Sequence, residues 1–252
     1  MTKNYLFFIL ILLLIILAYI LKKKISENFY DYKNIPIIIN NFNQLNIIKK
    51  MVQDLHKKKY FNIIILDNKS TYKPLLDYYK KINTKNCKII YLDKNYGHKS
   101  LWDSGLIKNY KNNYFIYTDP DLDISNLPDT FVKDFIKISE KYKGFKIGSA
   151  LKIDDLPDFF KEKQKVIKWE KKFWKSQIGN FKKNILYKSP IDTTFSLYPK
   201  NYNKFSIKAI RVGNKYTIRH MPWYFNNNNL PEDYTYYLKN KKKNIGHWSS
   251  NI

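Results

Sequence analysis

The 252-residue chain contains one cysteine, Cys87, four histidines, and only Arg211 and Arg219 as arginines. One thiol excludes an internal disulfide and any cysteine-rich zinc site, and its place in an apolar run marks Cys87 as a core residue. Scarcity of arginine removes the side chain best suited to bidentate phosphate and guanine contacts. That argues against a nucleic-acid partner, even though 46 basic and 21 acidic residues leave a net charge of +25. The lysines are scattered through every segment of a chain also rich in Asn, Ile, Tyr and Phe, so the charge reflects compositional bias more than a binding arm. Anionic lipid or phosphorylated substrates fit it better. No internal repeat is present. Disorder is excluded by a content of 44% hydrophobic and 17% aromatic residues, enough to fill a core.

Residues 5–21 carry no charge and lie between Lys3 and Lys22-Lys-Lys24. At about 1.5 Å per residue, such a run spans a thin hydrocarbon core with lysines snorkelling at its ends. A cleaved signal peptide has a shorter apolar region and a small-residue cleavage site, so the run reads as a retained, single-pass N-terminal transmembrane helix. The lysines that follow it favour a cytoplasmic catalytic part, with a lumenal arrangement as the alternative. The expected organisation is an anchor over 1–24, a polar tether over 25–34 and one domain over 35–252.

From residue 35 onward the pattern alternates. Short β-branched runs at 35–39, 61–66, 87–92 and 114–118 read as strands. Helices are expected at 44–55, where Leu45, Ile48, Met51, Val52 and Leu55 share a face, and at 72–81 and 98–107. Another follows Asp129, the expected N-cap, with Phe131, Phe135 and Ile138 on one face. This is the pattern of an α/β protein with a Rossmann-like, mostly parallel sheet and helices on both faces. The second half is less regular: an amphipathic stretch with Val166, Trp169, Phe173 and Trp174, then strands at 193–198 and 209–212, then a polar loop at 226–229.

Ligands of such sheets bind beyond the carboxyl ends of the strands. The fourth strand ends in Asp119-Pro-Asp121-Leu-Asp123, carboxylates that repel one another unless a cation sits among them. Few protein carboxylates with water and phosphate oxygens suit Mg²⁺ or Mn²⁺. Asp121 and then Asp119 are the expected ligands, while Asp123 reads as a helix cap meeting solvent. A helix-loop-helix calcium site lacks its glycine and terminal glutamate. Asn40 and Asn41 close the first strand; Asp67, Asn68 and Ser70 close the second. Binding and turn formation compete as readings for Asn41 and Asn68. Gly97, in Asn95-Tyr-Gly97-His98, permits close approach of backbone to a diphosphate. His98 reads as a turn residue and His56 as solvated surface.

Taken together, Ile37-Ile-Ile-Asn-Asn-Phe-Asn43, Ile63-Ile-Ile-Leu-Asp-Asn-Lys-Ser-Thr71, Asn95-Tyr-Gly97 through Gly105, and Thr118-Asp-Pro-Asp121 resemble the nucleotide-sugar half of glycosyltransferase family 2. The resemblance covers 35–123 and leaves 124–252 as an acceptor half. It implies the A-type glycosyltransferase fold. It also implies that Asn40, Phe42 and Asp67 hold the base and ribose, that Asn95 and Gly97 lie along the donor, and that Asp119 and Asp121 form the Asp-x-Asp element that holds a divalent metal on the diphosphate. Two departures stand out: the paired aspartates after the second strand are here Asp67-Asn68, and the arginine usual in the helix after the glycine motif is replaced near Trp102.

Inverting transfer needs a carboxylate to take the acceptor proton. Asp192, in Ser189-Pro-Ile-Asp-Thr-Thr-Phe195, stands about as far beyond the metal motif as the family's base does. Glu232 and Asp233 compete for that role, or else form the first turn of a helix with Pro231 at N1. His220 is the expected third metal ligand or diphosphate contact, with a core histidine as its alternative. Trp223 and Tyr224 read as sugar-stacking or core aromatics. The sequence therefore predicts a membrane-anchored, metal-dependent glycosyltransferase acting on a nucleotide-sugar donor and a glycan, lipid or protein hydroxyl. The alternatives are a nucleotidyltransferase on a similar fold and a non-catalytic basic protein that binds membrane surfaces or RNA.

Overall fold

The computed structural model describes residues 2–29 and 31–241, the side chains of 2–4, 6, 20 and 22–29 excepted. It divides into two units, Met1–Tyr32 and Lys33–Ile252. The first holds one helix, α1 (Thr2–Phe29), whose described apolar side chains, such as Phe7, Leu10, Leu13 and Ile16, are exposed. Among the described residues no helix is long and apolar enough to cross a membrane. The expected span over 5–21 includes Leu6 and Ile20, and its flanks include Lys3 and 22–24, all with side chains outside the described ones. α1 continues through 25–29, where a tether was expected, because no glycine or proline between 2 and 29 interrupts it.

The second unit opens with β1 (Ile37–Asn41), α2 (Asn46–Lys57), β2 (Ile63–Asp67), α3 (Lys73–Ile82) and β3 (Cys87–Tyr91). It continues with α4 (Ser100–Asp103), β4 (Phe115–Thr118), β5 (Leu122–Asp123), α5 (Phe131–Lys141), β6 (Lys146–Ser149) and α6 (Lys163–Glu170). Last come β7 (Gln177–Phe181), β8 (Asn184–Lys188), β9 (Ser196–Tyr198), β10 (Ala209–Val212), β11 (Arg219–His220) and α7 (Glu232–Asn240). The main sheet runs β3-β2-β1-β4-β9-β6-β10-β8-β7, and β11 pairs with β5. Only β8 and β9 run against the rest, so the sheet is mostly parallel in direction.

The chain moves outward from β1 to β2 and β3, then crosses back to β4 on the other side of β1. Right-handed crossovers place α2 and α3 on one face and the β3–β4 connection on the other. The order therefore reverses between β1 and β4, which makes their carboxyl ends the switch point. An aromatic cluster fixes that region from behind: Phe115 stacks on Tyr198 at 4.9 Å, and Trp102 meets Tyr117 edge-on at 4.9 Å. Trp102 thus fills core at the position where the family resemblance expects an arginine.

Several elements differ from expectation. The helix expected over 98–107 is broken, because Gly105 adopts φ +76° and only Ser100–Asp103 is α-helical, flanked by 3-10 turns. α5 starts after Thr130 and not Asp129; Thr130 Oγ1 donates to Asp134 Oδ2 at 2.6 Å, while Asp129 is exposed near Lys58. The β7–β8 hairpin turns on Lys182 and Lys183, both at positive φ. Such turns usually carry Asn-Gly, so nothing in the sequence announced it. His56 is half-buried against Phe61, with burial lowering its pKa, and is not solvated surface.

Candidate active site

At the switch point the ends of β1, β2 and β4 are joined by side-chain hydrogen bonds. Asn40 Nδ2 donates to Asp119 Oδ1 at 3.2 Å. Asn40 Oδ1 accepts from Asn68 Nδ2 and, at 2.6 Å, from Ser100 Oγ. Asn68 also donates to Gly97 O at 3.2 Å and accepts from Tyr96 N at 3.0 Å, and Tyr117 OH donates to His98 O at 2.8 Å. The glycine loop is thereby fastened to the first and second strand ends. Gly97 itself has φ +73°, a conformation that costs a side-chain-bearing residue more.

Asp119 is held from its other side by the 189–195 loop. Its backbone N–H donates to Thr193 O at 3.0 Å, and Thr193 Oγ1 donates to Asp119 Oδ2. Burial, then the charge of Asp121 and more weakly that of Asp192, lifts the Asp119 carboxyl to about 7, against the hydrogen bonds from Thr193 and Asn40. Such a site is short of positive charge. Asp121 Oδ2 lies 3.3 Å from His220 Nε2 because β5 and β11 pair, placing Leu122 opposite His220. His220 Nδ1 is buried and has no hydrogen-bond partner.

Among the described residues no three or more His, Cys, Asp or Glu side chains form a group able to hold a metal ion. The three expected ligands Asp119, Asp121 and His220 therefore do not close into a protein cage. They fit only an ion that takes most of its ligands from phosphate oxygens and water, as Mg²⁺ does. Asp123 is excluded from that set, since Lys50 binds it at 2.9 Å and, with Ser125, holds its pKa low despite burial.

Asp192 is exposed and precedes Thr193, so its chain position sets it beside the Asp119 carboxylate. Two buried cations seat this loop. Lys146, fully buried on β6, donates to Asp192 O at 3.1 Å and Tyr198 OH at 3.0 Å. Arg211 on β10 donates to Pro190 O at 2.8 Å and pairs with buried Glu170 at 2.7 Å. The loop lies flush on β6: a Cβ at Gly148 would meet Phe195 O at 2.8 Å and Ile191 Cδ1 at 3.0 Å.

Burial lowers the Lys146 pKa to about 8, with the Arg211 charge adding to the shift and Asp192 opposing it. A depressed amine pKa penalises the folded state fully below that value, and the penalty fades as pH climbs towards the ordinary value of 10.5. Wild type should therefore gain about 2 kcal/mol relative to Lys146→Met between about pH 7.5 and about pH 9.5, read from urea unfolding. A pH-independent gap would show that the ammonium is buried without cost.

Asp233 is neither an exposed cap of its own helix nor a free carboxylate. It is 2% exposed and caps α2 from across the chain, accepting from Leu45 N at 2.8 Å, Asn46 N at 2.7 Å and Asn46 Nδ2 at 2.8 Å. Leu45 lacks a capping side chain, so Asp233 satisfies the helix's orphan N–H groups. Pro231 is the N-cap of α7 and not N1. Asp233→Ala should cost about 2–3 kcal/mol in denaturant unfolding. A loss of only a few tenths would mean that water replaces the cap.

Of the other expected donor residues, Phe42 is half-buried and meets Tyr237 of α7 edge-on at 6.4 Å. Asp67 is buried and accepts from Ser70 N at 2.9 Å, with burial raising its pKa despite that bond. Asn95 Oδ1 accepts from Gly97 N at 2.8 Å, shaping the turn. Asn40, Asn68, Gly97 and Asp119 thus share one network, Asp121 and His220 form a pair beside it, and Asp67 sits in a separate one with Ser70 and Asn43. Trp223 is core, against His220, and Tyr224 OH donates to Asp155. Thr193, Ser100 and Lys146 escaped the sequence reading, since nothing local distinguishes them from other Ser, Thr and Lys residues, and the role of Arg211 did so because its partners lie 21 and 41 residues away.

Among solved structures the chain is similar to the mannosyltransferase PcManGT of Pyrobaculum calidifontis with GDP-Man and Mn²⁺, at 12% identity and TM-score 0.38, over 48% of this chain and 36% of that one. It is similar to S. aureus TarS 1–349 with UDP-GlcNAc, at 20% identity and TM-score 0.38, over 51% and 38%. It is also similar to GalNAc-T7 with UDP, GalNAc and Mn²⁺, at 13% identity and TM-score 0.45, over 73% and 42%. The chain thus spans 36–42% of the length of each. No curated protein matches the sequence. The model of glycosyl transferase family 2 matches residues 37–202, which include both ends of the Asn40–Asp119–Thr193 network. That match takes in well over half of the sequence, and the chain belongs to glycosyl transferase family 2.

Proposed function

We propose that the chain is a membrane-anchored, metal-dependent glycosyltransferase that moves a sugar from a nucleoside diphosphate to a hydroxyl acceptor with inversion. The observation that carries this reading is the Asp119–Asp121 carboxylate pair at the switch point, with Asn40 and Thr193 both donating to Asp119. Asp67 and Phe42 bind the base and ribose, and the Asn95–Gly97 turn lines the diphosphate. Asp121, with Asp119 and His220 beside it, holds Mn²⁺ or Mg²⁺. The bound ion supplies positive charge to the departing diphosphate. Asp192 accepts the proton of the attacking hydroxyl, and Lys146 and Arg211 keep its loop against Asp119.

The test is release of nucleoside diphosphate when the detergent-solubilised full chain meets a panel of UDP- and GDP-sugars with Mn²⁺. Release that requires Asp192 supports the reading. Release of pyrophosphate instead would favour nucleotidyl transfer, and no turnover together with tight RNA binding would favour the non-catalytic alternative.

The charge-free run over 5–21, flanked by lysines, supports the N-terminal anchor, and Lys22 to Lys24 support a cytoplasmic catalytic unit. Alkaline carbonate should leave the full chain in the membrane fraction and release a chain beginning at Lys33. Extraction of the full chain would contradict the anchor.

A further inference from the structure

A cavity of about 700 Å³ lies in the second half of the domain, lined by Lys152, Lys163, Lys171, Trp174, Tyr187 and Asn214, among others. Its volume is that of a small-molecule site. Its walls are α6 with the 3-10 turn after it, β8, and the segments leaving β6 and β10, whose ends align because Ser149 pairs with Val212 in parallel. β9 lies antiparallel to both β4 and β6, so β4, β6 and β10 point the same way. The wall segments after β6 and β10 therefore lie at the same end of the sheet as Asp119. The cavity is also tied to the candidate centre: Lys152 N donates to Ile218 O at 2.8 Å, and the strand leaving Ile218 carries His220. At about 3.3 Å per residue, Thr217 on the cavity wall is roughly 10 Å from His220, the length of one or two sugar rings.

The lining has two chemical faces. Trp174 and Tyr187 meet at 5.3 Å and 62°, and the buried Trp174 Nε1 has no hydrogen-bond partner. An aromatic surface of this kind suits a sugar ring. Three ammonium groups line it as well. Lys152 pairs with Asp154 at 2.7 Å and Lys163 with Asp158 at 2.6 Å, but those aspartates are largely exposed, so the pairs are cheap to rearrange. Lys171 is exposed and, among the described residues, makes no ion pair. With Asp154 and Asp158 offsetting Lys152 and Lys163, Lys171 is the surplus positive charge on the wall.

We propose that this cavity is the acceptor subsite and that the acceptor is an anionic sugar, carrying a phosphate or carboxylate on or next to the ring that rests on Trp174 and Tyr187. The transfer reading enters only in naming this ligand an acceptor. Binding of glucose 6-phosphate, glucuronate, glucose and inorganic phosphate to the solubilised full chain is measured by titration calorimetry, alongside Mn²⁺-dependent binding of UDP. Glucose 6-phosphate, glucuronate or both should bind at least tenfold more tightly than glucose and inorganic phosphate. Lys171→Glu should erase that preference and leave UDP binding intact, which also reports that the variant is folded. A preference for glucose 6-phosphate alone assigns a phosphate; a preference for both assigns any anion on the ring. Equal affinity for charged and neutral sugar, inorganic phosphate binding as tightly as glucose 6-phosphate, or a preference that survives in both Lys171→Glu and Lys163→Glu would overturn the proposal. Loss of UDP binding in wild type would instead count against the transferase reading, leaving the sugar measurements to stand alone.

Discussion

Asp192→Asn should lower turnover by about 10²–10⁴-fold while donor affinity hardly moves. The substitution keeps size and hydrogen-bonding shape and removes only the proton acceptor. Lys146 holds the loop through the backbone carbonyl of Asp192, so the side-chain change leaves that contact in place. Thr193, which reaches Asp119, is also untouched. The fall should therefore appear in kcat and not in binding of nucleoside diphosphate. Asp233→Asn is the internal contrast: it weakens the cap on α2 and should appear in stability, with catalysis retained at temperatures where the protein stays folded. Normal turnover of Asp192→Asn, with an inactive but folded Asp233→Asn, would move the base to the start of α7.

The second large effect concerns the metal. In Asp121→Ala, binding of UDP that depends on Mn²⁺ should fall below detection, whereas any metal-independent binding persists. Asp119 is hydrogen-bonded on both oxygens, to Asn40 and Thr193, so it is oriented but partly occupied, whereas Asp121 meets His220 at 3.3 Å through one oxygen. Removing Asp121 leaves Asp119, already engaged on both oxygens, as the remaining carboxylate of the Asp-x-Asp element. Calorimetry with and without Mn²⁺ decides it, and wild-type-like, metal-dependent binding in the variant would remove Asp121 from the site.

Much of this was legible from residue types. β1, β2 and β4 are buried runs rich in Ile, Leu, Phe and Tyr, whereas the edge strand β3 alternates, and the Asn and Asp residues at the carboxyl ends of the buried three converge because parallel strands put like ends together. The second half was less legible for three physical reasons. β6 is Lys-Ile-Gly-Ser, with a buried lysine where a strand pattern demands an apolar residue. The β7–β8 turn uses lysines at positive φ. The role of Asp233 depends on a partner 188 residues away, so the local reading as a first-turn charge of its own helix was reasonable and incomplete. His220 lies on β11, and the β5–β11 pairing explains why it meets Asp121.

The central claim is that Asp119 and Asp121 present a divalent ion to a nucleoside diphosphate at the carboxyl ends of β1 and β4. Crystals grown with UDP and Mn²⁺, with anomalous data collected at the manganese edge, test it most directly. The account predicts one strong peak within bonding distance of an Asp121 oxygen and of the diphosphate, with the uridine running towards Asp67. A nucleotide bound elsewhere, or a manganese peak distant from both Asp119 and Asp121, would contradict it.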